Sequence, residues 1–364
     1  MIGKKRWSAC DVEEEYLGED RKASKQERKR MQEKDRSKYK KTERPKSAPP
    51  SNPLLPIGRV LAISSQSVEV ESQQHIYKCS LRGLLKKEFR DVKNLVIVGD
   101  SVRFEPLNET EGVIDSIEPR RSVLSRADNL SRRKEQLIAA NIDQVLITVS
   151  AVFPALKPYI VDRYVIAAEK GHMDPVVILN KIDLLSQGTA EEQELVEAFI
   201  KSYEALQIPV IAVSVVTGEG MEKLKAVMKD KTSVFSGQSG VGKSSLINAL
   251  SGTSLPIGNP VEKTGKGSHT TTRAQLLPLQ EGGFVIDTPG IKSFGVWDLD
   301  KEQLQNYFDD LFAVGRGCRF PNCSHTGEEG CAVLKAVEGG TLSALRYGSY
   351  LTLLGSLEET HKRR

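Results

Sequence analysis

Between Leu54 and Ile117 the chain alternates apolar and polar residues in short runs: Gly58–Ile63, Ser67–Val70, His75–Cys79, Ser101–Phe104 and Gly112–Ile117. A period of two turns one face of each run toward a core, and turn residues separate the runs. The pattern predicts a five-stranded OB-type β-barrel. After Arg126 the rhythm changes, and strand candidates Gln144–Ser150, Val176–Asn180, Val210–Ser214, Ser233–Gly237 and Gly283–Asp287 alternate with helical stretches such as Ile160–Lys170 and Ala190–Leu206. Such alternation predicts a parallel α/β domain, whose ligands sit at the carboxyl ends of its strands. Toward the C-terminus the helical stretches Asp300–Leu311 and Thr341–Leu354 predict a small, mostly helical segment with little core of its own.

At 364 residues the chain is too long for one core. The pattern divides it into a tail and linker (residues 1–52), the barrel (53–122), the α/β domain (123–296) and the helical domain (297–364). No apolar run approaches the ~18 residues of a membrane span, and the N-terminus carries no signal-peptide apolar core. A soluble, cytoplasmic protein without a membrane partner is expected. A transit peptide is disfavoured as well, because such segments avoid acids and residues 1–50 hold ten of them.

Charge is unevenly placed. Residues 1–50 carry 16 Lys or Arg against 10 acids, whereas the rest carries 36 against 38, so the overall +4 belongs to the tail. From Arg21 to Lys46 almost nothing is apolar, and the stretch is read as disordered or as a solvated helix. It is either a basic arm for RNA phosphates or a plain solvated tail. The barrel loops add Arg82, Lys86, Lys87 and Arg90 but few exposed aromatics, which suits gripping nucleic-acid backbone rather than stacking bases.

The strongest chemical signal is Gly237-Gln238-Ser239-Gly240-Val241-Gly242-Lys243-Ser244, followed by Ser245, between a strand and the helix Lys243–Leu250. Its glycines let backbone N–H groups converge on phosphate oxygens, and the helix points its positive end at them. Lys243 is expected on the β- and γ-phosphates, and Ser244 on Mg²⁺. Asp287-Thr288-Pro289-Gly290 follows a hydrophobic strand about 45 residues on; Asp287 would hold Mg²⁺ through water and the Gly290 N–H would sense the γ-phosphate. Asn180-Lys181-Ile182-Asp183 chooses the base. A carboxylate at 183 accepts from guanine N1–H and N2–H₂ together, a donor pair adenine lacks. The loop from Ser214 to Gly220 would close over the base from the other side.

These motifs stand in an unusual order, with the guanine motif before the phosphate loop. The inversion indicates a circularly permuted GTPase. Hydrolysis is less legible, because Ile291 occupies the position after Asp-x-x-Gly where many GTPases place a water-orienting Gln. His269, in the Gly- and Thr-rich loop 258–273 that reads as switch I, is the candidate water-positioning residue. Thr271 beside it could complete the Mg²⁺ shell, as could Thr270 or Thr272. The alternative for His269 is an RNA-contacting or unconstrained loop residue.

Farther on, Cys318-x₄-Cys323-x-His325-x₅-Cys331 offers three thiolates and an imidazole, the full tetrahedral set of one structural Zn²⁺. No position remains for a catalytic water.

In this arrangement the chain resembles the RsgA (YjeQ) ribosome small subunit-dependent GTPases. The resemblance rests on the motif order, the barrel before it, the Cys/His cluster after it, and local matches at Cys79–Gly83, Val98–Val102, Ala139–Gln144 and Lys266–Arg273. It covers about residues 54–355 and leaves out the charged tail. It implies an OB barrel, a permuted GTPase domain and a zinc domain acting in late maturation of the small ribosomal subunit. Expected partners are that subunit with its rRNA, and GTP or GDP with Mg²⁺; the chain is expected to be a monomer. Two alternatives stay open at this level: a permuted GTPase serving the large subunit or another RNA, and an RNA-binding scaffold with a vestigial nucleotide site.

Overall fold

The computed structural model describes residues 52–64, 67–83, 95–127, 135–252, 274–287 and 301–362. Five strands form the first unit: β1 (Ile57–Ile63), β2 (Val68–Ser72), β3 (His75–Leu81), β4 (Ser101–Pro106) and β5 (Glu111–Ile117). They run in the order β1-β2-β3-β5-β4, and β4 returns to β1 through Ile57↔Arg103, Gly58↔Val102 and Arg59↔Ser101. The sheet is thereby closed into the OB-type barrel expected from the alternation. Inward-facing Val60, Val68, Val70, Cys79, Val102, Phe104 and Ile114 form a core of their own, with Ile63 packed against both it and the α/β core. Tyr77 leans on Phe104 with ring centroids 5.0 Å apart.

A two-stranded hairpin, β6 (Val123–Ala127) and β7 (Glu135–Ala140), comes next, and alternation alone did not disclose it. The α/β domain then contains β8 (Gln144–Ser150), α1 (Pro158–Lys170), β9 (Asp174–Asn180), α2 (Ala190–Glu204), β10 (Val210–Ala212), α3 (Met221–Met228), β11 (Thr232–Ser236), α4 (Lys243–Ser251), β12 (Gln275–Pro278) and β13 (Phe284–Asp287). Every residue of β8 and β11 is buried, as strands covered on both faces must be. Helix α2 starts at a reciprocal cap in which Thr189 Oγ1 accepts from Glu192 N and Glu192 Oε2 accepts from Thr189 N.

The strand order β10-β9-β8-β11-β13-β12 records the permutation. From β8 the chain winds outward to β10, returns to β11 beside β8, passes out to β12 on the other side, and comes back to β13 between β11 and β12. Only β12 runs antiparallel to its sheet neighbour β13. The direction of winding reverses between β8 and β11, the switch point at which open α/β sheets bind ligands.

The chain gives the barrel one covalent attachment to the α/β domain, near Arg126. The structure adds a second, non-covalent one, because β1 also pairs with the sheet edge β12 at Ala62↔Gln275, and the Arg59 guanidinium lies 4.7 Å over the Phe284 ring. An open β12 edge has unpaired backbone groups, and the barrel strand meets one end of it at that pair.

The C-terminal segment holds α5 (Lys301–Leu304), a 3₁₀ turn (Gln305–Tyr307), α6 (Asp309–Gly315), α7 (Ala332–Glu338) and α8 (Ala344–Lys362). The single helix expected over Asp300–Leu311 is therefore broken. At the break Phe308 leaves helical geometry, with φ −115° and ψ 77°, and is fully buried. Its ring meets Tyr350 edge-on at 5.5 Å and lies 4.4 Å under the Arg346 guanidinium. Burying that ring outweighs helical continuity. Leu304, Phe308, Leu311, Val333, Tyr350 and Leu353 belong to the same apolar cluster as Tyr159, Ile160 and Val165 of α1, so the segment packs its core onto the α/β domain.

Among the described residues no helix is long and apolar enough to cross a membrane.

Candidate functional site

Four strands aim their carboxyl ends at one crevice. β11 leads into the phosphate loop, β9 into Asn180–Asp183, β10 into the Ser214 loop, and β13 ends at Asp287. The loop is fitted to its neighbours by missing side chains. At Gly237, φ is +143° and a Cβ would stand 2.1 Å from the Thr148 carbonyl oxygen of β8. At Gly242, φ is +98° and a Cβ would stand 2.3 Å from Asn180 Nδ2. Any larger residue at either position would push the loop off the sheet.

The guanine motif holds the phosphate loop directly. Asn180, nearly fully buried, donates from Nδ2 to the Val241 carbonyl at 2.8 Å. Lys181 takes a left-handed backbone conformation, φ 62° and ψ 37°, and donates from Nζ to the carbonyls of Gly240 (2.6 Å) and Phe153 (2.8 Å). Burial lowers the Lys181 pKa, opposed by the charge of Asp183. Asp183 in turn accepts from the Ser214 hydroxyl at 2.6 Å, and Ser214 Oγ accepts from Thr217 N at 3.2 Å. The Ser214 loop closes on itself through Ser214 N to the Glu219 carbonyl and Gly218 N to the Ser214 carbonyl, both 2.9 Å.

Lys243 donates from Nζ to the carbonyls of Gly237 (2.7 Å) and Gln238 (2.5 Å), which holds its charge at the mouth of the loop. It opens α4, whose N-cap Gly242 brings no side chain to the first N–H groups. Those N–H groups and the helix dipole suit an anion. Ser244 and Ser245 lie half-buried on the first turn. Asn180 Oδ1 and Ser236 Oγ are buried without a hydrogen-bond partner among the described residues, as polar atoms at ligand sites often are.

Of the remaining candidates, Asp287 is placed by its backbone at the end of β13. Gly290, His269 and Thr271, with Thr270 and Thr272, lie outside the described residues, as do Lys86, Lys87, Arg90 and the charged tail. Sequence reasoning missed the Phe153 carbonyl and Thr148, both on or after β8. A carbonyl leaves no motif, and the contact joins segments 28 positions apart or more.

The second cluster forms the knuckle between α6 and α7. The ligand atoms of Cys318, Cys323, His325 and Cys331 all lie within 4.8 Å of one another, and none of the cysteines is in a disulfide. Cys318 Sγ is 3.9 Å from Cys331 Sγ, and His325 Nδ1 is 3.6 and 3.5 Å from those two sulfurs. Tetrahedral bonds of about 2.3 Å to sulfur and about 2.0 Å to nitrogen would separate sulfurs by about 3.8 Å and sulfur from nitrogen by about 3.5 Å. The residues fit a four-coordinate metal. Burial lowers the His325 pKa against the opposite pull of Glu328, favouring the neutral imidazole that a metal needs.

Comparison with known proteins agrees with this geometry. Residues 57–114 match the family model of the RsgA N-terminal domain, and residues 117–297 match that of the RsgA GTPase. A protein of Haemophilus influenzae (strain 86-028NP) named small ribosomal subunit biogenesis GTPase RsgA is 41% identical over 313 residues, covering 84% of this chain and 86% of that protein. The protein of the same name from Chlorobaculum parvum is 46% identical over 275 residues, 73% of this chain and 86% of its own. Among solved structures, YjeQ from Thermotoga maritima superposes with a TM-score of 0.66 at 34% identity, covering 84% of this chain and 99% of that one. YloQ, described as a circularly permuted GTPase, gives 0.65 at 29% identity, covering 84% and 96%. With the permuted strand order, the converging motif loops and these relatives together, the chain belongs to the RsgA family of GTPases.

Proposed function

We propose that this chain hydrolyses GTP to GDP and phosphate as a factor in late maturation of the small ribosomal subunit, binding its rRNA; its relatives are named small ribosomal subunit biogenesis GTPases. One observation carries the reading: Asn180 and Lys181 are bonded to the carbonyls of Val241 and Gly240, so base-reading and phosphate-cradling loops form one rigid crevice. Asp183 reads the guanine edge, oriented by Ser214. The N–H groups from Gly237 to Ser245 bind the phosphates, and Lys243 exchanges its two carbonyl partners for β- and γ-phosphate oxygens. Ser244, and Asp287 through water, are the hard oxygen donors suited to Mg²⁺, which when bound neutralises developing phosphate charge. Gly290 senses the γ-phosphate.

His269 positions the attacking water and Thr271 completes the magnesium shell in this reading. The metal of the knuckle is one Zn²⁺ in a structural role, since all four ligands come from protein. The protein acts as a cytoplasmic monomer. Its working units are residues 53–122, 123–296 and 297–364, with residues 1–52 as a charged tail and linker.

Co-sedimentation with separated ribosomal subunits tests the proposal. Small subunits should retain the chain with a GTP analogue and stimulate its single-turnover hydrolysis. Preference for large subunits would overturn the assignment. His269→Ala should keep GTP binding and lose the stimulated rate; an unchanged rate removes His269 from the chemistry.

A further inference from the structure

One turn of α8 touches both the metal knuckle and the α/β domain. On one side, Tyr347 donates its hydroxyl to the His325 carbonyl at 2.7 Å, and Tyr350 donates to the Ser324 carbonyl at 3.0 Å. From the same turn the Arg346 guanidinium, almost wholly buried, reaches Asp162 of α1 through Nη1. It also holds Asp310 of α6 through Nε at 3.2 Å and Nη2 at 3.3 Å.

The Asp162 oxygen that meets Arg346 also accepts from Tyr203 of α2 at 2.7 Å, and the Tyr203 hydroxyl lies 3.2 Å from the Pro158 carbonyl, at the first residue of α1. Residues 151–157 run directly from β8 into that helix start. Within them the Phe153 carbonyl accepts from Ser150 Oγ at 2.7 Å and from Lys181 Nζ at 2.8 Å, and Lys181 Nζ also holds Gly240 of the phosphate loop. A near-continuous series of short contacts therefore leads from a metal ligand to the nucleotide crevice.

We infer that Arg346 is a positioning residue for the guanine-nucleotide site, and that it couples metal occupancy of the knuckle to nucleotide affinity. The inference rests on the reading of Asn180, Lys181 and the Gly237–Ser244 loop as that site. Its physical basis is the buried charge. Asp162 and Arg346 are out of water, and a carboxylate at 162 that loses its guanidinium is left as an uncompensated buried charge. Whether the carboxyl then draws in water or takes up a proton, α1 loses its tie to α8, and the 151–157 segment that carries the Lys181 acceptor loses the support of that helix start. Metal holds Ser324 and His325 in the shape that Tyr347 and Tyr350 grasp, so metal loss frees the turn that carries Arg346. By linkage the effect runs both ways, and GDP should raise metal affinity by the factor by which metal raises GDP affinity.

The test is GDP binding by calorimetry on the full chain in excess Mg²⁺, with Zn²⁺ loaded, stripped by a zinc-selective chelator, and restored. In the parent, stripping should weaken GDP binding by about five- to tenfold, the low end of typical couplings, and added Zn²⁺ should recover it. Arg346→Met should bind GDP weakly even when loaded and lose nothing further on stripping, while Arg346→Lys regains part of the affinity. A parent whose GDP affinity ignores Zn²⁺, or the same loss in parent and Arg346→Met, overturns the coupling. Should Arg346→Met fail to fold, Tyr347→Phe keeps the charge cluster whole and must shrink the Zn²⁺ effect; an unchanged effect overturns the inference equally. No GDP binding in the Zn²⁺-loaded parent would instead sink the nucleotide-site reading, and the coupling with it.

Discussion

The barrel and the C-terminal module flank the same α/β domain and are held to it by different physics. The barrel closes five strands on a core of its own around Phe104, Val60 and Ile114, and meets its neighbour through edge and backbone contacts such as Ala62↔Gln275 and Asn141 Nδ2 to the Gly99 carbonyl at 2.9 Å, with Val98, Leu61 and Ile63 lending apolar side chains to the α/β core. The C-terminal module has no such private core. Its apolar residues join those of α1, and its most buried charge, Arg346, is neutralised partly by Asp162 of the other unit. A unit with its own core is a mechanical appendage, whereas a unit that shares a core transmits strain. On this view the barrel keeps its own stability beside the α/β domain, whereas the metal module is bound into the nucleotide machinery.

Separating the pieces gives the largest expected effect. Residues 53–122 alone should unfold cooperatively in urea, and residues 297–364 alone should show no cooperative transition even with Zn²⁺. A cooperative, well-dispersed C-terminal fragment would break the contrast.

Point changes in the whole chain sharpen it. Phe104→Ala should destabilise the barrel by about 3–5 kcal/mol, the usual cost of emptying a core aromatic, with GDP affinity intact. Arg346→Met should cost a similar amount, about 3–5 kcal/mol for breaking a buried ion pair, but with GDP affinity reduced. Urea titration paired with GDP calorimetry separates the two, and matching effects on GDP would erase the distinction.

The smallest effect concerns thiols. Cys79 is fully buried in the barrel and burial pushes its pKa up to about 11, so it should resist alkylation at pH 8 until the barrel unfolds. Cys318, Cys323 and Cys331 should be protected by metal and become labelled once it is removed. Mass spectrometry of the labelled peptides reads both, and early labelling of Cys79 would show the barrel to be looser than its packing implies.

Much of the fold was legible beforehand because it rests on local periodicity. Alternation marked all five barrel strands, and the buried runs marked β8, β9, β11 and β13 to within a residue or two. The hairpin β6–β7 and the short strand β12 escaped, since each draws its order from neighbours: β12 is only four residues long and is held between β13 and β1. The broken helix at Phe308 escaped for the opposite reason. Its local pattern favoured one helix, and a distant Tyr350 and Arg346 overrode it.

At the nucleotide site, motifs identified Asn180, Lys181, Asp183 and the Gly237–Ser244 loop, because backbone N–H cradles and a base-reading carboxylate demand particular residues at particular spacings. The four metal ligands were legible for the same reason, their chemistry being local to 14 positions of chain. That Asn180 and Lys181 grip the phosphate loop across about 60 residues, that β1 completes the edge of the nucleotide sheet, and that Arg346 meets Asp162 across 184 residues were decided only by the tertiary structure. Periodicity and motif spacing are properties of neighbouring residues. Which distant carbonyl, strand edge or carboxylate a side chain finds depends on how the folded units pack.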